Sequence, residues 1–173
     1  MRVVAGEFRG RRLAAPRGVR TRPTADRVRE ALFSILGDVN GARVLDLYAG
    51  SGALGIEALS RGAESAEFVE RDPRAAAVLE RNLTSLGLDQ AVHRQDALRF
   101  LVRSEGTFDL VFVDPPYDSA SLLAEPLSER LPAVTVEGAR IVTESDKRMP
   151  LELPFPLLTE RTYGDTRIAI HGR

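Results

Sequence analysis

Val44-Leu45-Asp46-Leu47-Tyr48-Ala49-Gly50-Ser51-Gly52-Ala53-Leu54-Gly55-Ile56-Glu57-Ala58-Leu59 decides the fold. Residues 44–48 form a short apolar run of the kind that fills a buried strand. Three glycines then mark a tight turn, and Leu54, Ile56, Ala58 and Leu59 carry a helix on to Gly62. Strand, glycine turn and helix form the first half of a βαβ unit, and the same alternation continues downstream. Residues 66–70 read as a second strand. Asp72-Pro73 then supplies an N-cap and a first helical position for a helix that buries Ala76, Leu79, Leu83 and Leu86 and closes at Gly87. Val92-His93-Arg94 is a third strand and Leu98 with Leu101 a short helix. Residues 110–113 are a fourth strand, 120–130 a helix and 140–144 a fifth strand. Two further strands, 157–163 and 166–171, meet across Gly164-Asp165 as a hairpin. The expected class is α/β: a mostly parallel seven-stranded sheet covered by helices on both faces, with an antiparallel hairpin at its end.

Upstream of the first strand, a helix is expected from near Thr24. Asp26 lies in its first turn, Val28, Leu32, Ile35 and Leu36 share a face, and Gly37 or Gly41 stops it. Residues 1–23 read as an arm, extended or folded as a small hairpin, and 24–173 as the domain proper. The charge is uneven. Residues 1–30 hold nine arginines against Glu7, Asp26 and Glu30, a local balance of +6 in a chain of net charge -1. A basic end on an acidic body suits a polyanionic partner, although charge runs are also ordinary solvated surface. Cysteine is absent, which excludes a disulfide framework and thiolate metal sites. No apolar run reaches membrane-spanning length, and the first residues lack a secretory signal, so a cytoplasmic location is expected.

Gly50-Ser51-Gly52-Ala53-Leu54-Gly55 follows the G-x-G-x-x-G pattern, and Glu70 ends the next strand, where an acid can receive ribose hydroxyls. This much fits a nicotinamide dinucleotide as well as S-adenosylmethionine. Asp46 separates the two. A carboxylate four residues before the turn repels pyrophosphate but attracts the ammonium of a methionine moiety; it can equally tie backbone N–H groups of the turn. Asp96 is placed either to cap the following helix or to take an adenine amino group, with the Ala97 N–H facing the ring.

Asp114-Pro115-Pro116-Tyr117 comes directly after the fourth strand. The prolines fix the backbone and offer rigid carbonyls without N–H groups. An exocyclic amine on a purine is a weak nucleophile because its lone pair is delocalised. The Asp114 carboxylate and Pro115 carbonyl can hold its two hydrogens, Tyr117 can stack on the base, and catalysis becomes positioning for in-line attack on a sulfonium methyl. As a lone motif the segment is also an ordinary turn after a strand. Nothing in this chemistry needs a metal ion. His93 and His171 read as structural, and Phe33 and Tyr48 as packing residues.

The chain resembles the bacterial 16S ribosomal RNA guanine-N2 methyltransferases of the RsmD family. The likeness rests on residues 6–13, on Arg22-Pro23-Thr24-Ala25-Asp26-Arg27-Val28-Arg29-Glu30, on Leu45-Asp46-Leu47-Tyr48-Ala49-Gly50-Ser51-Gly52, on residues 114–117 and on Tyr163-Gly164-Asp165-Thr166-Arg167. Ser34 stands where the family pattern expects Asn. The resemblance implies a Rossmann-like class I methyltransferase that uses S-adenosylmethionine to methylate N2 of guanine 966 in 16S rRNA, within an assembled or partly assembled 30S subunit. Cofactor contacts are expected from Asp46, Tyr48, Gly50, Ser51, Gly52, Glu70, Arg71, Asp96, Ala97 and Asp114. RNA contacts are expected from Arg2, Arg9, Arg11, Arg12, Arg20, Arg22 and Arg27, with Arg22 and Arg27 placed equally for the cofactor carboxylate. A single subunit with no membrane and no metal ion completes the expectation. The same Asp-Pro-Pro-Tyr logic serves a DNA adenine-N6 methyltransferase or a protein-glutamine methyltransferase. The leading non-catalytic alternative is a nucleotide-binding module.

Overall fold

The computed structural model describes residues 1–16, 26–116 and 120–173, without the side chain of Ser121. The elements are α1 (Asp26–Leu36), β1 (Arg43–Leu47), α2 (Ala53–Ser60), β2 (Ser65–Val69), α3 (Pro73–Leu86), β3 (Val92–His93), α4 (Ala97–Arg103), β4 (Phe108–Val113), α5 (Ala120–Val134), β5 (Thr135–Asp146), β6 (Leu157–Tyr163) and β7 (Thr166–Gly172). They build one seven-stranded sheet in the order β3-β2-β1-β4-β5-β7-β6. Strands β1 to β5 pair in parallel, and β7 runs antiparallel between β5 and β6. No helix among the described residues is long and apolar enough to cross a membrane.

Local chemistry explains the elements. The Asp72 side chain accepts hydrogen bonds from the Arg74 and Ala75 N–H groups, Pro73 opens α3, and Gly87 closes it at φ 71°. Alternation in the strands sorts the core into two layers. Val44, Phe68, Leu110, Phe112 and Val142 face α1, α2 and α3. Leu45, Leu47, Val111, Val113 and Ile141 face α4, α5 and the segment holding Leu151 and Leu153. Phe33 is buried in the first layer, its ring 5.8 Å from that of Phe112. His93 and His171 are engaged structurally: His93 Nε2 lies 2.8 Å from Glu67 Oε2, and His171 Nδ1 lies 3.2 Å from the Phe155 carbonyl.

Several boundaries differ from those read in the sequence. β5 begins at Thr135 rather than 140. Its register jumps between Thr135, paired with Phe108, and Arg140, paired with Leu110, and Gly138 within the jump has φ 79°. The strand carries a bulge there. α5 extends through Pro126 and Pro132 to Val134. In α1 the fully buried polar residue is Arg29, beside Leu32, Phe33 and Leu36, whereas Val28 and Ile35 are only partly buried. The expected helix start near Thr24 lies outside the described residues.

The first sixteen residues pair as a small hairpin: Arg2 bridges Arg12, and the Val3 N–H donates to the Arg11 carbonyl at 2.9 Å. Val3 and Leu13 are buried in the same layer as α1 to α3. The hairpin is fastened by Glu57, buried on α2. Its carboxylate accepts from the Val4 N–H at 2.8 Å, the Ala5 N–H at 3.0 Å, Arg29 Nε at 3.4 Å and Arg61 Nε at 2.8 Å. Gly6 sits so close to α2, at φ 80°, that a Cβ there would lie 1.7 Å from the Ser60 carbonyl oxygen.

Candidate active site

In parallel strands all carboxyl ends lie on one edge, and a ligand crevice opens where the strand order reverses. Here that point is between β1, whose chain crosses outward to β2, and β4, which lies on its other side. Leu47 is in register with both Val69 and Val113, and Val113 with Thr143. Residues 48–52, 70–72, 114–116 and 144–146 therefore meet at this edge.

The glycines of the turn have separate tasks. A Cβ on Gly52 would lie 2.2 Å from Leu79 of α3, and one on Gly55 2.3 Å from Phe68 of β2, so the first lets the turn approach α3 and the second lets α2 seat on the sheet. At Gly50, φ 57°, a Cβ would meet nothing among the described residues nearer than the Tyr48 carbonyl at 4.0 Å. That position faces the crevice and leaves room for a ligand beside the backbone. Gly52 caps α2 without a side-chain hydrogen bond, and within the first turn the Gly55 N–H is taken by Asp46. Tyr48 has φ 62°, the left-handed region that non-glycine residues rarely occupy. Its ring packs against the α4–α5 layer, and its buried hydroxyl has no hydrogen-bond partner among the described residues. Burial raises the Tyr48 pKa, with Asp96 adding to the rise and Arg71 opposing it.

Four acids surround the turn. Asp46 is buried, and its Oδ2 accepts from the Gly55 N–H at 2.9 Å. Burial pushes its pKa up to about 8, offset in part by that hydrogen bond and reinforced by Glu70. Glu70 accepts from the Gly50 N–H at 2.8 Å and the Asp72 N–H at 2.7 Å, one on each oxygen, leaving each a further acceptor position. Asp96 caps α4, accepting from Leu98 and Arg99 N–H groups, and Ala97 is buried behind it. Asp114 is half-buried with Pro115 buried beside it. Burial raises the Asp114 pKa well above its ordinary value, followed in effect by the charges of Glu144 and Asp46.

The structure thus gathers Asp46, Tyr48, Gly50, Ser51, Gly52, Glu70, Asp114, Pro115 and Pro116 at one edge, with Arg71 and Asp96 on the loops flanking it. Tyr117, Arg20 and Arg22 lie outside the described residues. Arg2, Arg9, Arg11, Arg12 and Arg27 are exposed. Glu144, which ends the parallel stretch of β5 and is buried, was not singled out by the sequence. Only the Val113–Thr143 register reveals it as the lateral neighbour of Asp114.

Sheet order and glycine turn are those of an S-adenosylmethionine-dependent methyltransferase, with four acids and the N-terminus of α2 at the carboxyl edge of the sheet. Residues 1–172 match the family described as Conserved hypothetical protein 95. Ribosomal RNA small subunit methyltransferase D of Haemophilus influenzae is 38% identical over 178 residues, covering 95% of this chain and 89% of the relative. Its Escherichia coli K12 counterpart of the same name is 44% identical over 119 residues, 68% of this chain and 60% of the relative. Among solved structures, a hypothetical protein of Thermus thermophilus superposes with a TM-score of 0.85 at 31% identity, covering 100% of this chain and 99% of that one. The chain belongs to the RsmD methyltransferase family.

Proposed function

We propose that this protein methylates the small-subunit ribosomal RNA at the exocyclic N2 of one guanine, guanine 966, using S-adenosylmethionine, and that it acts as a single subunit on an assembled or partly assembled 30S particle. The relatives named above carry the rRNA part of this reading, and they give the DNA adenine alternative no support. Asp46 and the N-terminus of α2 hold the methionine end, Glu70 the ribose, and the Asp96–Ala97 segment the adenine.

The observation that favours guanine is the pairing of Asp114 with Glu144 at the end of β4 and β5. Guanine presents an N1–H and an N2 amino group side by side, all donors, whereas adenine presents an acceptor at N1 next to its amino group. With Asp114 ionised, the two carboxylates and the Pro115 carbonyl offer acceptors alone, which suits the first edge and repels the second. The bound cofactor supplies an electrophilic methyl on a positively charged sulfur. Asp114 and Pro115 orient the amine so that its lone pair points along the line of attack. The new N–C bond forms as the C–S bond breaks, sulfur leaves as a neutral thioether, and the surplus proton on nitrogen passes to the Asp114–Glu144 pair and then to solvent.

The test is incubation with tritiated S-adenosylmethionine and undermethylated 30S subunits, free 16S rRNA and duplex DNA in parallel, followed by mapping of the label. Label on guanine N2 at a single RNA position is the expected result. Label on adenine, or on DNA alone, would overturn the assignment.

A further inference from the structure

Asn82 lies within α3, 3% exposed, and its side-chain amide turns away from its own helix. Its Oδ1 accepts from the Ala14 N–H at 2.9 Å, and its Nδ2 donates to the Ala14 carbonyl at 3.1 Å and to the Ser51 carbonyl at 2.9 Å. Ala14 follows the second strand of the N-terminal hairpin; Ser51 belongs to the glycine turn. One amide therefore uses both its hydrogens and an acceptor lone pair to join the basic arm to the wall of the cofactor crevice. A second contact repeats the link, because the Ser51 hydroxyl donates to Met1 Sδ at 3.8 Å. Close by, Arg11 Nη2 donates to the Ser85 carbonyl at 2.6 Å, and the Ser85 hydroxyl donates to the Asn82 carbonyl at 2.8 Å. An exposed arm arginine thus rests on the same stretch of α3.

We propose that Asn82 couples the arm to the cofactor site, so that seating of the arm on RNA and filling of the crevice favour one another. The inference rests on the reading of the arm as an RNA contact. Arg11 has two alternative acceptors, the Ser85 carbonyl and an RNA phosphate, and the exchange between them shifts the segment that Asn82 holds through Ala14. The cofactor, in turn, orders the Ser51 peptide and with it the amide. Whichever ligand binds first meets part of the ordering cost of the other, and the linkage is reciprocal. Asn82 touches neither ligand and is a positioning residue.

The experiment measures binding of undermethylated 30S subunits to the full chain by filter retention, with and without saturating S-adenosylhomocysteine. Wild-type protein is expected to bind several-fold more tightly with the ligand present. The affinity for S-adenosylhomocysteine should rise by the same factor when subunits are bound. Asn82→Asp keeps the acceptor for the Ala14 N–H but cannot donate to Ser51, and its ratio is expected to fall to about one. Equal wild-type affinities in the two conditions would overturn the coupling while leaving the RNA reading intact, and this holds even if the variant fails to fold. A variant that keeps the wild-type ratio would remove Asn82 from the linkage. Subunits that bind in neither condition would sink the RNA reading itself, and the inference with it.

Discussion

Asp114 and Glu144 each stand one residue beyond the Val113–Thr143 register pair, which places two carboxylates side by side on one face of the sheet. Burial discourages ionisation of Asp114, and the charge of Glu144 acts in the same direction. Asp114 holds its proton more firmly than a solvated acid would, and only its ionised form can take up the proton that the substrate nitrogen releases. Methyl transfer is therefore expected to rise with pH along an acid limb that belongs to the pair. Glu144→Gln removes the repelling charge, so the Asp114 pKa falls and the limb moves to lower pH. The profile of kcat/KM measured by tritium transfer checks this; an unmoved limb would show that Glu144 does not face the reacting centre.

Asp114→Ala should leave cofactor binding nearly unchanged and lower the rate of transfer by about 10²–10³, the usual cost of losing one preorganised polar group aimed at the reacting atoms. Calorimetry with S-adenosylhomocysteine and single-turnover rates separate the two effects. Full activity would remove Asp114 from the mechanism.

Asp46 gives a second pH dependence. Its folded pKa is raised from 3.8 to about 8, so the folded protein binds a proton that the unfolded chain has released. Stability from this group is consequently greatest at low pH and is lost as pH climbs through that window. Cofactor binding acts in the opposite sense, because the ammonium favours the ionised acid. The dissociation constant for S-adenosylhomocysteine is expected to fall as pH rises from neutrality towards about 8 and then level off, with proton release seen as a buffer-dependent enthalpy. In Asp46→Asn both signals should vanish and binding should weaken.

The arginines of residues 1–30 divide into two kinds. Arg9→Ala and Arg12→Ala remove exposed charge, and each is expected to reduce the slope of log K against log salt for RNA by about one if it meets a phosphate. Arg29 is buried against Glu57, Asp26 and the Arg2 carbonyl. Arg29→Ala or Glu57→Gln breaks a buried charge network and should cost about 3–5 kcal/mol, read as a lowered unfolding midpoint in urea. A slope change without loss of stability in Arg29→Ala would reverse this division.

Local grammar made most of the fold readable. Strand–glycine–helix at 44–59, Asp72-Pro73 with Gly87 around α3, and Gly164-Asp165 between β6 and β7 each follow from residues a few positions apart. What escaped depends on distant partners. Glu57 carries no sign of its role, because its acceptors are filled by Val4, Ala5 and Arg29, residues 28 to 53 positions away. The early start of β5 escapes too, because the bulge at Gly138 exists only relative to a neighbouring strand. Within the site, Asp46, Glu70 and Asp114 are visible from their places at strand ends, whereas Glu144 and Asn82 acquire meaning only through register and burial. Tyr48 shows no sequence sign of its left-handed backbone.

The docking of the hairpin has an evolutionary and practical corollary. Trimming residues 1–16 would strip Glu57 of two backbone donors, withdraw Val3 and Leu13 from the interior and leave the Asn82 amide with only Ser51. A shortened version would lose its interior along with its positive charge. The segment is thus an inseparable structural wedge, and natural variation there should concentrate on its outward arginines while the inward face stays apolar.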